Sequence, residues 1–457
     1  MKILFDCVVI YLCFGVSFGS DTYRAGVIRG LQSYVDLEAY PGLMRDASEA
    51  KLDILLLAPS QGYSSIKGNQ ELHGLDSYDE VVKLLSGISK KVGSYLVAHF
   101  LDSTKCQQRR EQVRSNVVFN RRGEIVTEYR KPVSLKNNCT SVPTSIGSFE
   151  TDFGETIGLM MEEDLVLLDR EDLKGLRHFI VTGGWSSDVS LLSASQFPSS
   201  WAWVNKANVV SSAGIFGTEN SRSIGKLMVA DFNKHAVEDR TLVPTFSSES
   251  TMILEDLSMY IVRRLDPKAS IKGYKETVCH EDFCCEFYVK TKFGDSQLQY
   301  GDYVLSAFNG VREYSPHHDI GMQTCAIFAC AGIQESSCDS GFKTNDTVTF
   351  EKLSVTGNFT GSTQYPIVTV SNPPGSIEYK SERIGYINRV SLLADNIKPS
   401  SVGIFGGEHS RDSTKWSNDV SDNGYLFNDQ MQELFDYLWI RLRILIFVVS
   451  IYVLEMM

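Results

Sequence analysis

The sequence has no cysteine between Cys139 and Cys279. Whatever that long interval folds into, it can present no thiolate nucleophile. It also has no P-loop, no G-x-G-x-x-G dinucleotide fingerprint and no H-E-x-x-H helix. Nothing therefore marks phosphoryl transfer, nicotinamide chemistry or a zinc peptidase. One G-x-S-x-G string, Gly15 to Gly19, falls at the end of the apolar N-terminal run, where it cannot form a nucleophile elbow. Internal repeats and low-complexity linkers are absent. Basic residues are outnumbered: the 457 residues carry a formal net charge of -12. Such a surface repels phosphate backbones, so nucleic acid is not an expected partner.

What is present is ordinary for a folded chain, with 43% hydrophobic and 22% charged residues. From Asp21 to about Asp266, strand-like and helical patterns alternate. Leu52 to Ala58 is a nearly continuous apolar run ending at Pro59, which suits a buried strand. Tyr78 to Val92 carries Val81, Val82, Leu84, Leu85 and Ile88 at helical spacing. Gly93 to Phe100 is strand-like, and Val117 to Val126 reads as a hairpin turning at Arg122-Gly123. Ile157 to Met161, His178 to Val181 and Val209 to Ala213 are further strands, and Ser190 to Asn208 reads as a helix broken at Pro198. The alternation predicts an α/β layered core. From about Pro267 the pattern becomes β-rich, through Phe287 to Val289, Tyr303 to Leu305, Val348 to Phe350 and Ile367 to Val370.

The ends carry processing signals. Lys2 and the apolar run Ile3 to Phe18, followed by Ser17-Phe18-Gly19, read as a secretory signal peptide over 1–19. The apolar run Ile444 to Leu454 is too short for a bilayer core, which takes about 20 residues, and Arg441 and Arg443 resist its extension. It fits the tail of a GPI anchor signal over 425–457, with Asp422 and Asn423 as attachment candidates. The expected location is the cell surface or the extracellular space.

Of ten cysteines, Cys7 and Cys13 leave with the signal peptide. Cys106, Cys139, Cys279, Cys284, Cys285, Cys325, Cys330 and Cys338 remain, an even set that reads as disulfides in a secreted chain. Cys106 and Cys139 stand apart and are candidates to pair with each other. The oxidising compartment favours disulfides over zinc at Cys279-His280 and Cys284-Cys285, and His317-His318-Asp319 reads as a polar loop. No metal and no cofactor are expected. Asn138, Asn345 and Asn358 each begin an N-x-S/T sequon.

Three segments carry a resemblance: Pro59-Ser60-Gln61-Gly62, Glu128-Tyr129-Arg130-Lys131, and Ile157 to Asp164. Together with Val117 to Gly123, Leu191 to Phe197, Trp201-Ala202, and the downstream Cys279…Cys284-Cys285 and Gly321 to Cys330, they resemble the vanin/biotinidase branch of the nitrilase superfamily. The resemblance spans nearly the whole chain beyond the signal peptide. It implies an α-β-β-α sandwich over 20–266, followed by a β-rich, disulfide-stapled domain over 267–424.

That family hydrolyses amide C–N bonds with a glutamate base, a lysine that stabilises the oxyanion and a cysteine nucleophile. The resemblance carries the lysine onto Lys131. The glutamate position falls on Ser60 and the cysteine position on Glu162. Because no cysteine exists from Cys139 to Cys279, a small error of register restores no thiol. A serine hydroxyl is no base near neutral pH. The expectation is a surface or secreted pseudoenzyme, with a small amide as the ligand of a remnant pocket. Two alternatives stand beside it: an active amidohydrolase with rearranged chemistry, and a purely structural glycoprotein. Burial of an unpaired lysine is costly, so Glu162 is expected to pair with Lys131.

Overall fold

The structure is a computed structural model. It describes residues 20–31, 34, 41–59, 64–65, 78–106, 109–133, 139, 143, 145–173, 175–183, 196–218, 221–234, 242–243, 257–293, 302–315, 318–330, 348–361, 363–370, 377–384, 387–392 and 399–414. The described residues all fall within one compact unit, and Lys415–Met457 lie outside them. Ser60, Asn138, Asn345, Cys338, Asp422, Asn423 and the signal segment 1–19 also lie outside them.

The first sheet contains β1 (Thr22–Leu31), β2 (Ile54–Pro59), β3 (Ser64–Ser65), β4 (Tyr95–Cys106), β5 (Arg109–Phe119) and β6 (Ile125–Pro132). It is completed by β12 (Arg222–Ile224) and β13 (Leu227–Asn233), in the order β12-β13-β1-β2-β4-β5-β6 with β3 against β4. The second sheet runs β11 (Gly214–Phe216), β10 (Asn208–Ser211), β9 (His178–Thr182), β8 (Thr156–Met161) and β7 (Gly147–Glu150). β8, β9 and β10 are mutually parallel.

Alternation along single strands assembles the layers. Val27, Ile54 and Leu56 join Leu159, Met161 and Ile180 in the core between the two sheets. Their neighbours Ile28, Leu55 and Leu57 face the other way, onto helices Pro41–Glu49 and Tyr78–Val92 through Met44, Ala47, Val81 and Leu85. Successive residues of a strand point to opposite faces, so a strand rich in apolar residues on both sides must lie between two layers. At about 25 cal/mol per Å² of apolar surface, each fully buried leucine here contributes roughly 2 kcal/mol.

The outer face of the second sheet is covered differently. Met160, Phe179, Val181 and Val209 pack on helix Gln196–Val204 through Phe197 and Trp201, and also on Phe308, Phe328 and Phe405 of a later sheet. Pro198 does not break that helix. It sits in the first turn, where a missing N–H costs nothing. The residues of the expected helix that precede Gln196 lie outside the described set.

The remaining strands form a β-sandwich. One sheet is β14 (Leu242–Val243), β22 (Ile377–Ile384), β23 (Ile387–Leu392), β20 (Val348–Asn358), β17 (Phe283–Phe293) and β16 (Tyr274–His280). The other is β15 (Ile261–Arg264), β18 (Asp302–Ser315), β19 (His318–Cys330), β24 (Pro399–Gly407) and β21 (Gln364–Val370), with β25 (Ser413–Thr414) on β19. Phe287, Val289, Phe350 and Val355 meet Leu305, Ile327 and Ile404 between them. The architecture is the expected one, a two-sheet α/β sandwich followed by a β-rich, disulfide-linked part. His318 and Asp319 correct one expectation: they begin β19 and are not a loop.

Candidate functional site

Lys131 lies near the end of β6, directly opposite Arg114 of β5. Two cations side by side on neighbouring strands repel unless anions answer them. Both belong to the face that turns toward the second sheet, the face that also carries Tyr129 and Val118. The answering anions come from the end of β8. After Met161 the ladder continues for one bond, Glu162 N–H to the Thr182 carbonyl at 3.0 Å. The chain then turns into the short helix Asp164–Leu167, with Glu163 as its N-cap residue.

Glu163 and Asp164 are both buried. Glu163 takes a two-pronged hydrogen bond from Arg114, with Nη1 donating to Oε2 at 2.6 Å and Nη2 to Oε1 at 2.5 Å. Lys131 Nζ donates to Glu163 Oε1 at 3.1 Å and also to Asp164 Oδ1. Asp164 Oδ2 in turn accepts from the Met161 amide at 2.8 Å and the Tyr129 hydroxyl at 3.2 Å. Two of the three N–H donors of the lysine are therefore engaged by carboxylates on its own fold.

The expected pairing of Glu162 with Lys131 is corrected. Among the described residues, the ion pairs of Lys131 go to Glu163 and Asp164, while Glu162 reaches Arg114 at 3.7 Å. The reason is local geometry. Glu162 follows the last residue of β8, makes the last ladder-like bond with its N–H, and sets its carboxyl against Gly183. The helical turn at Glu163 swings the next two side chains toward β5 and β6.

Glu162 has an unusual place. Its Oε2 is buried with no hydrogen-bond partner. Burial and the charge of Glu163 push its carboxyl up to about 8, against the pull of Arg114 and Lys131. Glu163 goes the other way: burial alone would raise it, but Lys131 and Arg114 hold it far below the usual carboxylate range. For Lys131, burial works to lower the ammonium, and the Glu163 and Asp164 charges overcome it and hold it above its ordinary value. Two cations thus face Glu163, which they hold ionised, Asp164, which is paired with Lys131, and Glu162, whose carboxyl is pushed up.

A neutral network backs this cluster. Asn116 Oδ1 lies 2.6 Å from His99 Nδ1 and 2.5 Å from the Thr182 hydroxyl, and Asn116 Nδ2 donates to the Met160 carbonyl at 3.2 Å. The Tyr34 hydroxyl donates to the His99 carbonyl at 2.5 Å. Burial takes His99 down to about 4, so it stays neutral beside Arg114. Tyr314 of β18 packs at the edge of the same region, its phenol raised by burial and by the three nearby carboxylates.

Of the residues singled out in the sequence, Lys131 and Glu162 come together at the facing ends of β6 and β8, while Ser60 lies outside the described residues. Arg114, Glu163, Asp164 and Gly183 are the members that sequence reasoning did not assign. Asn358 is exposed at the end of β20. Cys279 is bonded to Cys284 and Cys285 to Cys325, and Cys139 and Cys330 are also disulfide-bonded. Nothing is described of the Cys106 side chain.

Comparison with known proteins agrees with the sequence resemblance. Residues 252–411 match the vanin C-terminal domain. Vanin-like protein 3 of Drosophila melanogaster is 26% identical over 369 residues, covering 68% of this chain and 70% of that one. Human pantetheinase is 23% identical over 386 residues, covering 75% of this chain and 72% of its own. Among solved structures, an amidase from Nesterenkonia sp. is similar at 18% identity and a TM-score of 0.35, covering 49% of this chain and 94% of that one. The chain is similar to vanin-like proteins and pantetheinases over about two thirds to three quarters of its length.

Proposed function

We propose that this chain is a non-hydrolysing, vanin-like surface or secreted glycoprotein, whose former amide-hydrolase site has become a self-satisfied ionic cluster. The single observation that supports this is the state of Lys131. Its ammonium is occupied by Glu163 and Asp164. Two of its three donors are thereby engaged and its charge is shared with carboxylates, which reduces what it can offer to the charge that develops in a tetrahedral intermediate.

The chemistry around it points the same way. Acyl transfer needs a nucleophile and a base that frees it. Glu162 stands where the resemblance puts the thiol. A carboxyl that remains protonated to about pH 8 is a poor nucleophile at neutral pH. Ser60, at the position of the base, has no useful basicity. A small amide remains the expected ligand of the remnant pocket, and an attached glycolipid the expected link to the membrane.

Purified protein incubated with a pantetheine amide or a biotinyl amide is expected to give no product and no acyl adduct in its intact mass. Turnover abolished by Lys131→Ala would overturn the proposal. For the anchor, a glycolipid-specific phospholipase is expected to release the protein from cells that express it.

A further inference from the structure

The two fully described disulfides differ in every respect that governs thiol exchange. Cys285 and Cys325 are both 0% exposed and join the two sheets of the β-sandwich across its core, with a sequence separation of 40. Cys279 and Cys284 are direct cross-strand partners within the single hairpin β16–β17, with a separation of 5. That hairpin closes through the two-residue turn Glu281-Asp282, beneath the pair His280–Phe283. Glu281 adopts the left-handed conformation, φ 57°, that such turns use. The turn and the ladder hold the strands together without help from sulfur. A bond closing so short a loop also removes less freedom from the unfolded chain than the Cys285–Cys325 bond does.

Access differs as well. Cys279 is exposed and Cys284 half-buried on the outward face of the hairpin, whereas Cys285 and Phe283 point into the core. The geometry points to Cys279–Cys284 as a reversible thiol-exchange site open to low-mass thiols, standing beside a structural disulfide that is closed to them. The attacking thiolate reaches the exposed Cys279 Sγ. A sulfur–sulfur bond forms there, and the Cys279–Cys284 bond breaks with its electron pair going to Cys284 Sγ. A second thiolate then attacks the external sulfur of the mixed disulfide and displaces Cys279. Two thiols are oxidised to one small disulfide, two cysteines are reduced, and each cysteine thiolate takes up a proton.

The surroundings also select among thiols. Glu281 and Asp282 are exposed at the turn, and Glu286 is exposed on the same face as Cys284; the cations on that face are Lys275, on the strand of Cys279, and Arg389, two strands beyond Glu286. The His280 imidazole accepts the Asn309 amide through Nδ1 and stacks edge-on to Phe308, so it is turned to the protein. Carboxylates therefore dominate, and an anionic thiol is repelled where a neutral one is not.

The test uses the full chain under native conditions, treated with 2-mercaptoethanol, alkylated and mapped by peptide mass spectrometry. Cys279 and Cys284 are expected to be labelled at least tenfold faster than Cys285 and Cys325, with a mixed disulfide captured on Cys279. Simultaneous loss of both bonds, earlier loss of Cys285–Cys325, or no labelling without denaturant would overturn the assignment. Mercaptoacetate is expected to react several-fold more slowly than 2-mercaptoethanol, relative to their rates on 2-hydroxyethyl disulfide, with the gap closing in high salt. A gap indifferent to salt would overturn the charge selectivity. The Cys279→Ser/Cys284→Ser variant is expected to unfold at nearly the wild-type denaturant midpoint. A large drop would make the bond structural and refute the site.

Discussion

The Glu162 carboxyl lies directly over the α-carbon of Gly183, so close that a β-carbon built there would fall 1.6 Å from Oε2. Gly183 has φ 95°, in the region that favours glycine, and follows the last residue of β9. The two residues close the ends of adjacent parallel strands and fix where the unpartnered oxygen points.

Gly183→Ala is therefore expected to lose roughly 2–4 kcal/mol of stability, from the backbone conformation and the displaced carboxyl together. Denaturant unfolding measures it. Adding Glu162→Ala should recover part of the loss, leaving a coupling energy that the two single changes do not predict.

Stability should also depend on pH through Glu162. Its folded value near 8 lies above the ordinary 4.5, so the folded state holds the proton more tightly than the unfolded state. The contribution is full below about 4.5 and is lost as pH rises through 8. Glu163 has the opposite sign, and its contribution is lost as pH falls below the usual carboxylate range. Glu162→Gln should flatten the alkaline loss and gain on the order of 3 kcal/mol at pH 9 relative to wild type. Unfolding curves from pH 5 to 9 decide it. An unchanged slope would mean that Glu162 ionises freely.

Removing one member of the buried ion pairs should cost more than removing Glu162. Lys131→Met takes the cation from Asp164 and leaves Glu163 with Arg114 alone, and Glu163→Ala leaves Lys131 with Asp164 alone and Arg114 with only the longer contact to Glu162. Each is expected to lose about 3–5 kcal/mol, against a small or favourable change for Glu162→Gln at neutral pH. The comparison is made on denaturant midpoints at constant m.

Restoring sulfur alone should not restore hydrolysis. Glu162→Cys supplies a thiol, but Lys131 stays bound to Glu163 and Asp164, and Ser60 supplies no base. The expected outcome is alkylation of the new cysteine with no turnover of a pantetheine amide. Ser60→Glu with Glu162→Cys is the informative combination, read by intact mass for a thioester.

Asn358 is exposed at the end of a strand, with Thr360 at its sequon's third position also exposed. Expression in a glycosylating host should give a band that shifts on deglycosylation, by one glycan less in Asn358→Gln.

Much of the sandwich was legible because its signal is periodic. The runs at Leu52 to Ala58 and Ile157 to Met161 are apolar on both faces, and only a layered sheet uses such strands. The hairpin at Arg122-Gly123 was legible from its turn residues, and Lys131 from the family resemblance that puts a lysine after such a hairpin. The partner of Lys131 was not. Glu162, Glu163 and Asp164 are consecutive acids, and the sequence does not say where the strand stops and the helical turn begins. One residue decides which carboxyl faces the lysine. Arg114 was missed for a related reason. It stands among several charged residues in Arg109 to Arg114, and only the register of β5 on β6 sets it against Lys131. Pro198 misled because proline ends a helix from within but begins one from its first turn.

The way Trp201, Phe179 and Phe405 meet has a consequence for any attempt to excise the hydrolase-like half. Those side chains form one wall with two owners. A polypeptide stopped near Asp266 would keep the cover of helix Gln196–Val204 but lose Phe308, Phe328 and Phe405, and so expose the part of this wall that they close. It should aggregate rather than persist as a smaller soluble copy, so the two halves are best expressed together.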